Sequence, residues 1–197
     1  MAESIKVVLF AMIAIKALAE TPSLDKAASI AAFNDVYKVL MHPRCRNCHP
    51  SGDAPLQGDT GTPHAFNVKR GADGSGDLIK CGACHQANNL DAPHLPPGAP
   101  HPASAKKAEG EPRWRLPAAK MPLVFEGRTP RQLCLQLLNK KTNGNLDHEK
   151  LMEHAKEDTF ITWGWNPGEG RPPAPGSHAE FVARFSDWLS KGAACPE

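Results

Sequence analysis

The sequence predicts a mainly α-helical protein whose helices are separated by long irregular loops. Three observations predict it. Apolar residues recur at helical spacing in short stretches near the two ends of the chain, each opened by a capping residue. No strong series of alternating residues announces a sheet. More than half of the 19 prolines and of the 16 glycines fall between residues 50 and 122, where they break regular structure.

The elements follow in chain order. Residues 1–19 read as an export signal: Lys6 supplies a positive start, Val7 to Ile15 is an unbroken apolar run, and Ala17-Leu18-Ala19 is a cleavage site. The mature chain would begin at Glu20. Glu3 and Lys16 are atypical of such a signal, and a retained N-terminal anchor is the alternative, although the run is short for a bilayer span. No other segment is apolar enough to cross a membrane. The first helix is expected from about Ser23, its cap, to Met41, with Leu24, Ala27, Ala31, Phe33, Tyr37 and Leu40 on the apolar face. Pro43 should stop it. Residues 50–80 and 86–122 read as irregular chain. Helices return at Thr129-Pro130, a cap and a first-turn proline, with Leu133, Leu137 and Leu138 in the core up to Asn139. Asn145 is the expected cap of a helix to Lys156. The last helix opens with a capping box, Ser177 and Glu180, buries Phe181, Phe185, Trp188 and Leu189, and closes at Gly192. Residues 20–197 form one domain or two small lobes, about 20–75 and 76–197.

One pentapeptide occurs twice: Cys45-Arg46-Asn47-Cys48-His49 and Cys81-Gly82-Ala83-Cys84-His85. C-x-x-C-H is the attachment signature of c-type haem. Two thiols add across the two vinyl groups of one porphyrin, and the adjacent imidazole ligates the iron. Two copies in a chain of six cysteines predict two covalent haems c, held by Cys45, Cys48, Cys81 and Cys84, with His49 and His85 as proximal ligands. A zinc site of four thiolates is the competing reading. The 32 residues from 49 to 80 are a longer gap than such sites usually show, and zinc gives no reason for a His after each pair. A thioredoxin-like pair would need a βαβ pattern that is not seen. Covalent attachment outside the bacterial cytoplasm agrees with the export signal and predicts a periplasmic protein. In that oxidising compartment the two remaining cysteines, Cys134 and Cys195, favour a disulfide.

The formal net charge of +2 falls by one unit when residues 1–19 are removed, and this near-neutral balance argues against nucleic acid as a partner. Arg44, Arg46, Lys69, Arg70 and Arg115 are candidate partners for haem propionates, with ordinary solvated charge as the alternative. The turn Trp163-Gly164-Trp165-Asn166-Pro167-Gly168 packs either on a haem edge or in the core.

A helix leading into C-x-x-C-H resembles the start of small class I cytochromes c, so a cytochrome c-like fold is expected. The segment Pro117-Ala118-Ala119-Lys120-Met121-Pro122 resembles the loop that carries the distal Met in that family, and this implies Met121 as distal ligand of the second haem. For the first haem the residues offer His154, on a predicted helix, and His64, in Pro63-His64. His42 is too close to the first motif to reach the far face. His94, His101, His148 and His178 read as exposed. The whole chain is also similar to bacterial dihaem proteins labelled isoquinoline 1-oxidoreductase subunit, on residues 41–50, the Pro96-Pro97-Gly98 loop, the Met121 segment, the Trp163 turn and residues 192–196. That resemblance implies a cytochrome taking electrons from a molybdenum hydroxylase. The chain itself has no flavin or dinucleotide fingerprint and no iron–sulfur cysteine set.

The expected function is therefore electron transfer between a periplasmic dehydrogenase or oxidoreductase and a respiratory-chain partner, with redox proteins as donor and acceptor. A small dihaem enzyme or sensor, peroxidase-like with one open haem, is the alternative. Glu126 and His64 would be its acid–base candidates, though nothing in the sequence singles them out. A structural subunit that docks a partner enzyme is a third possibility.

Overall fold

Helix α1, Lys26–Leu40, is the spine of the structure. This computed structural model describes residues 25–90, 92, 95–98, 114–168 and 170–197. The export signal over 1–19, the Ser23 cap, and His94 and His101 lie outside the described residues. Asp25, not Ser23, caps α1: its carboxylate accepts from the Ala28 amide at 2.9 Å. Pro43 does not simply end a helix. It occupies the first turn of a short second one, α2, Pro43–Arg46, where its missing N–H has no intrahelical partner to lose.

A small antiparallel hairpin follows, β1 Leu56–Gln57 and β2 Thr62–Pro63, with Leu56 opposite Pro63 and Gln57 opposite Thr62. The described residues from there to 129 hold only two 3₁₀ turns, Ala65–Asn67 and Cys81–Ala83. Helices then return as expected. α3, Pro130–Leu138, has the full capping box of Thr129 and Gln132. α4, His148–Glu157, is capped by Asp147 rather than Asn145, because a carboxylate one residue before the helix meets the Lys150 amide at 3.0 Å. A short helix not foreseen in the sequence, α5, Thr159–Trp163, is capped by Asp158. α6, His178–Ser190, has the predicted box of Ser177 and Glu180. The protein is mainly α-helical. Among the described residues no helix is long and apolar enough to cross a membrane.

The core sits between α1 and α6. Phe33 and Trp188 are both fully buried, with ring centroids 4.8 Å apart. Burying side chains of this kind contributes about 1.5–3 kcal/mol each. Ser29 is buried beneath them without being unsatisfied: its hydroxyl donates to the Trp188 carbonyl at 2.8 Å and accepts from the Ala194 amide at 2.9 Å. Leu133 and Leu137 of α3 and Leu151 and Ala155 of α4 complete the same cluster. Gly192, at φ 112°, turns the chain back over this core, a backbone region closed to most side chains. The turn brings Cys195 to Cys134, and the two form the expected disulfide.

Candidate functional site

The first C-x-x-C-H motif is a helical turn. The amides of Cys45, Cys48 and His49 bond to the carbonyls of His42, Cys45 and Arg46 at 2.9, 3.2 and 2.9 Å. Helical spacing of three puts the two thiols on neighbouring positions of one face. Burial pushes the Cys45 thiol up to about 12 and the Cys48 thiol to about 11, and Cys81 of the second motif is near enough to raise Cys48 further. The two motifs, 32 residues apart in sequence, face one cavity.

His49 is fixed from three sides. Its ring stacks on Phe125 at a centroid distance of 3.9 Å and an interplanar angle of 13°. Its carbonyl accepts from the amides of Phe125 and Glu126. Its Nδ1 lies 2.7 Å from the Leu123 carbonyl, which can only accept, so Nδ1 carries the proton. Nε2 is left as a bare lone pair. Burial holds this imidazole down at about 4, with the Leu123 bond opposing the shift, so it is neutral at ordinary pH.

The second motif repeats the device on a different support. Cys81–Ala83 is a 3₁₀ turn, continued by bonds from the Cys84 and His85 amides to the Cys81 carbonyl. His85 donates from Nδ1 to the Pro97 carbonyl at 2.8 Å, and burial lowers its pKa. Trp114 braces the same loop by donating to the Pro97 and Gly98 carbonyls at 3.1 Å each, and its ring lies 5.6 Å from that of His85. Gly98 is required here: a Cβ would come within 2.2 Å of the Asn88 backbone.

A cavity of about 540 Å³ joins the motifs, lined by Cys48, Cys81, Cys84 and His85 together with His64, Trp114 and Trp163. Arg44, Arg115 and Arg171 also line it. Of the five candidate propionate partners, Arg44 and Arg115 line the cavity. Arg70 is buried elsewhere, its guanidinium on the Gly52 and Pro117 carbonyls. Arg171 reaches the wall just past the Pro167-Gly168 turn; sequence reasoning missed it because nothing in the sequence says which way the chain leaves that turn. Arg44 donates to the Pro172 carbonyl, pairs with Asp59 and lies 6.0 Å over the Trp163 ring. The aromatic turn divides its work: Trp163 faces the cavity and meets Trp114 edge-on, whereas Trp165 packs on Phe181 in the core.

The three candidate distal ligands lie at different distances from the two motifs. The loop of Met121 is tied to the first motif rather than the second, since Leu123 bonds both to the Met121 carbonyl and to His49. His64, weighed for the first haem, has its ring 6.1 Å from that of His85 in the second motif. His154 is half exposed on α4, with Nδ1 3.3 Å from Asp158, and both are near enough to His49 to act on its charge. Burial raises the Asp158 carboxyl, but the bond and charge of His154, together with the Phe160 and Ile161 amides, hold it below its usual value. His178 is not a free surface residue; it bonds the Ala155 carbonyl at 2.9 Å and ties α6 to α4.

Cys45, Cys48, Cys81 and Cys84 are not paired with one another. Among the described residues no three or more His, Cys, Asp or Glu side chains are gathered as a protein-only metal site requires. No family model, curated protein or solved structure matches the chain.

Proposed function

We propose that this chain is a periplasmic dihaem c-type cytochrome, of cytochrome c-like fold, that passes electrons between an oxidoreductase and a respiratory-chain partner. The observation that carries the proposal is the repeated tether: in both motifs the His after the second Cys gives its Nδ1 proton to a backbone carbonyl. That bond sets the tautomer and the ring orientation and leaves Nε2 available to a metal, the usual arrangement behind a metal-bound imidazole.

The residues fit covalent haem on further counts. Each motif offers two unpaired thiols one helical or 3₁₀ turn apart. The cavity has the size of a cofactor site, apolar and aromatic walls, and guanidinium groups suited to propionates. Among the described residues no four thiolates are gathered, which weighs against four-cysteine zinc. The disulfide agrees with an oxidising compartment. Bound haem iron would supply a one-electron couple whose potential is set by its axial ligands. The protein's part is to orient two imidazoles, exclude water from their proximal side, and bring the motifs together at Cys48 and Cys81. A molybdenum hydroxylase is the proposed donor.

The test is the mature protein from a host that attaches haem c outside its cytoplasm. Intact mass should show two haems, and low-temperature electron paramagnetic resonance of the oxidised protein should show two low-spin ferric signals. A mass without haem removes the proposal. A large high-spin signal would replace the electron carrier with an enzyme or sensor carrying one open iron.

A further inference from the structure

We infer that His64 is the second axial ligand of the haem attached at Cys81 and Cys84, so that this iron is held between two imidazoles, His85 and His64. The inference rests on the dihaem reading above and adds to it which residue closes the second site.

Distance comes first. With a metal–imidazole bond of about 2 Å, and the ligating nitrogen about 1.2 Å from its ring centre, two trans imidazoles on one metal hold their centroids roughly 6.3 Å apart. The rings of His64 and His85 are 6.1 Å apart. Their planes differ by 46°, a rotation that two imidazoles sharing one axis accommodate. Available atoms come second. Nδ1 of each ring is engaged by a backbone carbonyl, Pro97 for His85 and Ala65 for His64, both at 2.8 Å. Nε2 of each is therefore the atom left for a metal. Both rings line the cavity that also holds Cys81 and Cys84.

A tilted pair of rings at this distance is also an ordinary aromatic contact. The backbone argues for more. His64 stands just past β2, with its amide on the Pro55 carbonyl and the next amide on the Gln57 side chain at 3.0 Å. The two residues that follow the Ala65 acceptor, Phe66 and Asn67, are left-handed, at φ 58° and 49°. That region is unfavourable for a bulky residue, and Phe66 gains no burial in return, since it is 78% exposed. What the strained turn achieves is the placement of His64, and strain of this kind collects where geometry serves a site. The chain that leaves the first motif at His49 thus returns 15 residues later to complete the second.

The experiment uses the full dihaem protein, with haem counted by intact mass and the second haem's signals assigned by their loss in a Cys81→Ala, Cys84→Ala variant. His64→Ala should keep two haems but turn the second from low-spin to high-spin, and added imidazole should restore the low-spin signal. His64→Met should raise the potential of that haem alone and introduce a sulfur-to-iron charge-transfer band. Met121→Ala should leave the second haem low-spin. Two haems that both stay low-spin in His64→Ala overturn the inference while leaving the dihaem reading intact, as does a second haem that becomes high-spin in Met121→Ala. If His64→Ala fails to mature, His64→Met decides, an unchanged potential counting against. Fewer than two haems in the unmodified protein overturn both readings.

Discussion

The two C-x-x-C-H motifs share a pentapeptide and a carbonyl tether, yet stand on different foundations. The first is an extension of the helical core: α1 runs into α2, Cys45 touches the core cluster, and His49 lies flat on Phe125, which is itself buried. The second rests on a 3₁₀ turn between loops, with Cys84 exposed and a cavity where a core would be. Its neighbours Leu78 and Ile79 are 94% and 40% exposed. The comparison teaches that an identical pentapeptide pattern does not require identical support. At the first motif the protein supplies the packing, whereas at the second a bound haem, as proposed, would supply it.

The largest expected effect tests that division directly. Cys81→Ala with Cys84→Ala should remove one haem by intact mass while leaving the helical circular dichroism and the α1–α6 core in place. Cys45→Ala with Cys48→Ala should instead reduce the yield of folded protein, because the site it strips is continuous with the core. Equal losses of helix signal in the two variants would break the comparison.

A smaller effect concerns the helical region alone. The Cys134–Cys195 disulfide closes a loop of 61 residues and pins the C-terminal turn over α3. Replacing both cysteines by Ala should lower the stability of the haem-loaded protein by about 2–4 kcal/mol. Urea titration followed by tryptophan fluorescence would measure this, since Trp188 donates to the Ala194 carbonyl beside the bridge. The spectra of both haems should not change. A shift confined to the second haem would mean that the staple acts on the loops rather than on the core.

The same division governs what was legible in the sequence. The helical half announced itself locally. Thr129 and Ser177 carry capping boxes, and Phe181, Phe185 and Trp188 fall on one face, so their helices and the core between them follow from spacing alone. The disulfide followed from counting cysteines. Where local signals compete, the expected caps differ from the observed ones by two residues: Asp25 and Asp147 cap helices for which Ser23 and Asn145 were expected, because either polar residue suits the role until the helix phase is known. The irregular chain around the motifs gave no such guidance. That Leu123 reaches His49, that Pro97 reaches His85, and that His64 faces His85 are long-range pairings through irregular chain. Nothing in a run of Pro and Gly encodes the register of its contacts. The short helix α5 was hidden for a related reason, since five residues are too few to show a period.

The smallest effect sharpens the comparison from the helical side. Ser177 accepts the Glu180 amide at 3.2 Å, and Glu180 accepts both the Ser177 amide and its hydroxyl, at 2.7 and 2.9 Å. Ser177→Ala should cost about 1 kcal/mol, the usual worth of such a cap. The effect should also carry a pH signature. The bonds from the Ser177 backbone and hydroxyl hold the Glu180 carboxyl below its usual value. Stabilisation from a carboxyl depressed on folding is present above its unfolded pKa and is lost as pH falls through its folded pKa. The gap between Ser177→Ala and the unmodified protein should therefore narrow on acidification and stay flat from neutral pH upward. A gap that widens in acid would show that the reciprocal bond from Glu180 is not part of the cap. Because neither Ser177 nor Glu180 lines the cavity at the second motif, the second haem should be indifferent to this change, which redox titration of the two haems would verify.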